Sequence, residues 1–223
     1  MRLILHNINH VFDLDEPGYV NCLVIENQKL LYETVMDLKS LACGEEGKSV
    51  ISADNKILSA EKYMEVIDSF VPFDINQKSL INKVAARLSC FAVDESHYVN
   101  TMELISVIES YLMDLSANII GNIDFTKLSP ENIIKNSGIE FIGEYESVGE
   151  KLLDYFELVT EYERKKIFAL VNIRSYISND ETERFFDSVL RHGHKVFLIE
   201  NTEYLKLNNE KRIIVDKDLC EVC

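Results

Sequence analysis

Ile167-Phe168-Ala169-Leu170-Val171 is a continuous apolar run, with no polar residue in alternation. A strand with one face in water alternates, so this run predicts a strand covered on both faces, as inside a parallel sheet. Asn172 ends the run, and Ser178-Asn179-Asp180-Glu181 then supplies a capping side chain and first-turn acids, which mark a helix start. The order is strand, loop, helix, with Arg174 in the loop. Ligands in open α/β sheets collect at such carboxyl ends of strands.

The rest of the chain extends this pattern. Residues 1–8 read as a first strand, Asp15-Glu16-Pro17-Gly18 as a turn, and Cys22-Leu23-Val24-Ile25 as a second buried strand. Leu30, Leu31, Val35, Leu38 and Leu41 follow at helical spacing, and Gly44 and Gly47 end that helix. Val50-Ile51-Ser52 and Lys56-Ile57-Leu58 flank Asp54-Asn55 as a small hairpin beside the main sheet. Between Pro72 and Gly121 there is neither glycine nor proline. Leu80, Ile81, Val84, Ala85 and Leu88, then Leu104, Ile105, Ile108, Leu112 and Leu115, step at threes and fours. Long antiparallel helices are expected there, bending near residues 94–97, as a lobe inserted into the sheet domain. Ser129-Pro130-Glu131 opens a short helix, with proline at its first position.

Helix over 151–162, the opening strand, helix over 182–190 ended by Gly193, and strands over 195–200 and 212–216 complete an alternation. It points to a mostly parallel sheet. The expected fold class is therefore α/β. A head built from 1–71 and 139–223 is interrupted by a helical leg domain over 72–138.

Hydrophobic residues make up 47 % of the 223 and charged residues 27 %, which excludes a disordered chain. The first residues turn polar too early for a signal peptide, and no apolar run approaches the ~20 residues of a membrane span. A soluble, cytoplasmic protein is expected. Cys22, Cys43, Cys90, Cys220 and Cys223 are odd in number and irregular in spacing, which suits reduced cysteines.

The net charge of −15 argues against nucleic acid unless the basic residues are concentrated in one place. Lys78, Lys83 and Arg87 share a helix stretch, Arg164-Lys165-Lys166 precedes the central strand, and Arg174 follows it. On one chain they fit a solvated surface. Repeated around the axis of a closed oligomer, they would line a hole.

Several motifs suggest chemistry and then lose it. Ala42-Cys43-Gly44-Glu45-Glu46-Gly47-Lys48-Ser49 is one residue from a phosphate-binding loop. Such a loop needs a strand before it and a helix after it, and the order here is reversed. Two glutamates would also repel phosphate, so an acidic turn is favoured. The turn after Cys22-Leu23-Val24-Ile25 reads Glu26-Asn27-Gln28-Lys29 and has no glycine to admit a phosphate. Cys220-Glu221-Val222-Cys223 with His192 and His194 could be imagined as a zinc site, but a metal-free tail is favoured. No Ser-His-Asp or Cys-His set emerges.

The blocks Asp15-Glu16-Pro17, Cys22-Leu23-Val24-Ile25-Glu26-Asn27 with Lys29-Leu30-Leu31-Tyr32-Glu33, and Phe73-Asp74-Ile75-Asn76 resemble a known family. It is the spacer-acquisition family peculiar to type II-A CRISPR systems, the Csn-two family, in its short form. Phe168-Ala169-Leu170-Val171-Asn172-Ile173-Arg174-Ser175-Tyr176-Ile177 and Ile214-Val215-Asp216-Lys217-Asp218-Leu219-Cys220-Glu221 are similar to its later blocks. The resemblance covers nearly the whole chain.

The resemblance implies a head with a degenerate P-loop ATPase (RecA-like) fold and an inserted helical leg. It implies no catalytic activity and a homotetrameric ring whose basic wall encircles double-stranded DNA entering from free ends. Lys29, Lys78, Lys83, Arg87, Lys165, Lys166 and Arg174 are the candidate phosphate contacts. The implied partners are the CRISPR integrase proteins and the effector nuclease, during adaptation in antiviral defence. Calcium is implied near the head–leg junction, on Asn122, Asp124 and Glu131, with Glu140 or Asp114 as further donors. The same residues fit a polar interhelical turn. Two other readings compete: a nucleotide-binding ATPase or phosphotransferase on the same fold, and a structural scaffold that binds only protein.

Overall fold

The computed structural model describes residues 1–222. The chain divides into two units, Met1–Ile75 with the segment from Glu144 onward, and Asn76–Gly143.

The first unit is organised on a mostly parallel sheet. Its strands are β3 (Val20–Ile25), β6 (Met64–Ile67), β7 (Ile167–Val171), β8 (Lys195–Glu200), β9 (Glu210–Val215) and β10 (Glu221–Val222). For reference in chain order, β1 (Arg2–Ile4), β2 (Val11–Asp13), β4 (Val50–Ala53) and β5 (Lys56–Leu58) belong to a second sheet. The main sheet runs β10-β9-β3-β8-β7-β6, parallel throughout except for the antiparallel β10 at one edge. Every residue of β3 and β7 is buried, as expected of strands covered on both faces.

Alternate side chains of the sheet face two different layers. Leu23, Ile25, Ala169, Val171, Phe197, Ile199, Ile213 and Val215 join one core with Leu3, Phe12 and Ile51 of the small sheet. Leu30 and Leu38 of α1 (Gln28–Ala42) complete it. On the opposite face α6 (Val148–Glu163) stacks Phe156 on Phe168, with ring centroids 4.0 Å apart. The helix α7 (Asn179–His192) adds Phe185, Phe186 and Val189 to the buried set. A capping box between Ser178 and Glu181 starts α7, and Gly193 at φ +73° ends it in the left-handed conformation that glycine adopts freely.

The small sheet, β2-β1-β4-β5, corrects one expectation and bears out another. The first strand spans only Arg2–Ile4 and pairs antiparallel with β2 and β4, so it is no part of the parallel sheet. The hairpin forms around Asp54 and Asn55, at φ 50° and 59°, the two left-handed positions a type I′ turn requires. It belongs to this second sheet. The strands β2 and β6 are short and escaped the pattern reading. β6 follows directly on the single helical turn α2 (Ala60–Tyr63).

The second unit holds α3 (Lys78–Ala92), α4 (Tyr98–Ser116) and α5 (Pro130–Lys135). The break between α3 and α4 spans 93–97 and so includes the expected bend near 94–97, where Asp94 Oδ1 accepts the N–H groups of Ser96 and His97 at 2.9 Å. The antiparallel pairing of the long helices is not formed. α3 packs instead on α5, burying Leu80, Val84 and Ala85. Of α4 only Ile105 is buried. Periodicity identifies an apolar face, but it cannot name what covers it. Near its chain ends the unit is closed by two hydrogen bonds between Asn76 and the backbone of Phe141.

Candidate nucleic-acid interface

The candidate basic residues separate into exposed and engaged groups. Lys78, Lys83 and Arg87 all project from α3 into solvent, because its buried face is taken by Leu80, Val84 and Ala85. Lys83 and Arg87 lie one turn apart on one side of the helix. Lys78 and Lys83 have no ion-pair partner among the described residues, while the Arg87 guanidinium lies 5.9 Å over the Phe91 ring. Lys29 is exposed on the first turn of α1, 3.8 Å from Glu33. Lys166 is exposed just before β7, its backbone N–H donated to Tyr63 O.

Lys165 is engaged. Its ammonium contacts Glu65 at 3.1 Å and Glu163 at 3.6 Å, so its charge is neutralised locally. Glu65 also accepts the hydroxyl of buried Tyr155. Burial and the neighbouring Glu65 carboxylate push the Tyr155 phenol up, so it stays protonated and donates.

Arg174 corrects the expectation of a phosphate contact. Its side chain is 1 % exposed, and its Nη1 donates to Glu210 at 3.2 Å. Its Nη2 donates to Asn179 Oδ1 and to the Leu205 carbonyl. A guanidinium so placed is an interior strut and does not meet a phosphate from outside. The reason lies in β9, where Glu210 and Arg212 point to the same face because strand side chains repeat every second residue. Arg212 donates to Glu210 at 2.6 Å, and Glu200 at the end of β8 accepts the Arg174 N–H. Charged residues at a strand's entrance look like a solvated turn in sequence. The two-residue spacing of Glu210 and Arg212, opposite in sign, was the available signal.

The turn after β3 and the glycine-containing turn after α1 both spend their polar groups within the chain. After β3, the Glu26 N–H bonds Val215 O, and Asn27 reaches Lys217 O while its Oδ1 caps α1 at Leu30. In the pseudo-phosphate loop, Asp37 accepts the N–H groups of Lys48 and Ser49 at 2.6 and 2.9 Å. Those amides would have to face a phosphate, so the acidic turn explains the segment better.

The expected calcium donors are not assembled within the chain. Asn122 and Asp124 are exposed in irregular chain, where Asp124 accepts the adjacent Phe125 N–H. Glu131, in the first turn of α5, is paired with Lys135 at 2.6 Å, which lowers its carboxyl below the usual range. Among the described residues no group of three or more His, Cys, Asp or Glu could hold a metal ion. Glu140 and Asp114 are likewise exposed. Calcium takes six to eight oxygen ligands, roughly, and these residues do not fit that shell as placed. Cys220 is an exposed free thiol, and Cys223 of the same motif lies outside the described residues. Among the described residues no helix is long and apolar enough to cross a membrane.

Comparison with known proteins adds the family. No curated protein matches the chain. Among solved structures, a nucleotide-free ATP-binding cassette of an ABC transporter is similar at 14 % identity and a TM-score of 0.40, covering 99 % of this chain and 91 % of that one. A second ABC-transporter cassette, studied in a twinned crystal, is similar at 12 % identity and a TM-score of 0.41, covering 99 % and 89 %. Likeness at that level leaves the chemistry to this chain's own residues. The family model described as CRISPR-associated protein (Cas_Csn2) matches residues 43–219. The chain belongs to the CRISPR-associated Cas_Csn2 family.

Proposed function

We propose that this protein binds double-stranded DNA without catalysis during CRISPR adaptation. In this reading four copies form a ring, and linear duplex threads through its basic hole from a free end. Family membership supports the CRISPR context. The exposed, unpaired Lys78 and Lys83 on α3, beside Arg87, are the observation that carries duplex binding. Such contacts address phosphates, so binding is independent of sequence and weakens steeply with salt. An acidic exterior around a basic lining reconciles the net charge of −15 with this partner.

Self-assembly has its own support. Leu104, Val107, Tyr111 and Leu115 recur at helical spacing along one side of α4, and all are exposed. A stripe of that kind marks an interaction surface, here assigned to further copies of the chain. Lys29 and Lys166 are secondary candidates for the lining. The CRISPR integrase proteins and effector nuclease remain the proposed functional partners. Calcium enters from the family resemblance alone, so the assay carries it as a separate arm.

The test combines solution mass with gel shifts of linear and circular duplex, with and without calcium. The expected result is a tetramer that prefers linear duplex. Lys78→Glu with Lys83→Glu is expected to weaken binding and lower the salt slope by about 0.9 per lost phosphate contact. Equal retention of circles would remove threading. Failure to bind any duplex would favour the protein-only scaffold, and ATP binding near micromolar levels would favour the nucleotide reading.

A further inference from the structure

The main-sheet order β9-β3-β8 means that the connection from β8 to β9 must cross β3. In parallel sheets such a crossover is usually a helix, whose apolar face covers the strands. Here it is residues 201–209, irregular throughout and largely exposed, with Leu205 68 % exposed. Polar bonds hold it down instead. Arg174 Nη2 donates to Leu205 O at 2.8 Å, and Arg212 Nη1 donates to Tyr204 O at 2.7 Å and to Glu203 at 3.2 Å. The Arg174 guanidinium also lies 4.9 Å over the Tyr204 ring, and the Leu207 N–H bonds Glu210 Oε2.

Beneath this segment the charges are unevenly satisfied. Glu210 receives both guanidiniums. Glu200, fully buried, receives only the Arg174 backbone N–H at 3.2 Å, and its Oε2 has no partner. Arg174 Nε and Arg212 Nη2 are likewise unpartnered. We propose that residues 201–209 are a hinged cover latched by Arg174 and Arg212, and that ionisation of Glu200 beneath it loosens the latch. An ionised carboxylate held by one N–H is a poorly compensated buried charge, and lifting the cover admits water to it.

The groups that face Glu200 are Arg174 from the turn after β7, Glu210 and Arg212 from β9, and Cys22 from β3. Burial acts most strongly, raising Glu200 from 4.5 to about 7, while the Arg174 N–H and charge oppose it. In the opened state the carboxyl meets water and regains its ordinary value. The closed state therefore binds the proton more tightly. Closure is strongest below the ordinary value and weakens as pH rises towards 7, by on the order of a hundredfold.

Hydrogen exchange of the full-length protein tests this, read at the Asn201 and Leu207 amides, which donate to Asn172 Oδ1 and Glu210 Oε2, and corrected for intrinsic rates. Between about pH 5 and about pH 8, protection of these amides is expected to fall on the order of a hundredfold, while β7 stays unchanged. Glu200→Gln is expected to flatten that profile. The same pH profile in both proteins would overturn the role of Glu200. Arg212→Lys keeps the charge but loses the fork to Tyr204 O, and is expected to lower protection about tenfold at the acid end. Unchanged protection in that variant would overturn the latch.

Discussion

Strand β7 and helix α4 are each rich in apolar side chains, and the structure treats them in opposite ways. β7 is buried along its whole length, between a core shared with the small sheet and the rings of α6. α4 runs from Tyr98 to Ser116 and buries only Ile105. Hydrophobicity in sequence says that a surface gains from leaving water; it does not say which neighbour removes it. For β7 the neighbours lie in the same unit. For α4 the stripe of Leu104, Val107, Tyr111 and Leu115 is left for another chain in the reading proposed here.

This contrast makes mutation effects diverge. The largest is expected at the buried charges. Arg174→Ala leaves Glu210 with Arg212 alone and should cost about 3–5 kcal/mol in urea unfolding. A cost below ~1 kcal/mol would mean that water already compensates the network. Next, Leu80→Ala removes a fully buried side chain of α3 and should cost about 2–4 kcal/mol, showing that the helical unit has a core of its own. Smallest for folding is the α4 stripe. Val107→Ser with Tyr111→Ser should shift unfolding by no more than about 0.5 kcal/mol per site under dissociating conditions. The same pair should reduce the solution mass, and an unchanged tetramer would assign the stripe to a different partner.

Two basic sites offer a second contrast. Lys83 and Arg174 read alike in sequence, each a basic residue beside an apolar segment. Lys83 is exposed on α3, whereas Arg174 is closed in by Glu210, Asn179 and the carbonyl of Leu205. Phosphate binding requires the first arrangement. Holding a loop in place requires the second.

Local chemistry alone determined much of this protein. The unbroken run 167–171 dictated a doubly covered strand, Ser178 and Gly193 bounded α7, and Asp54-Asn55 made a tight hairpin. The missing glycine after β3 was enough to argue against a phosphate loop. These features are legible because they depend on backbone preferences and on contacts a few residues apart. Tertiary structure alone decided that β1 leaves the main sheet, that α3 chooses α5 over α4, and that Arg174 turns inward. Each of these rests on a partner distant in sequence. A guanidinium's position, in particular, is set by where its carboxylate lies, and Glu210 reaches Arg174 only once β9 has docked beside β3.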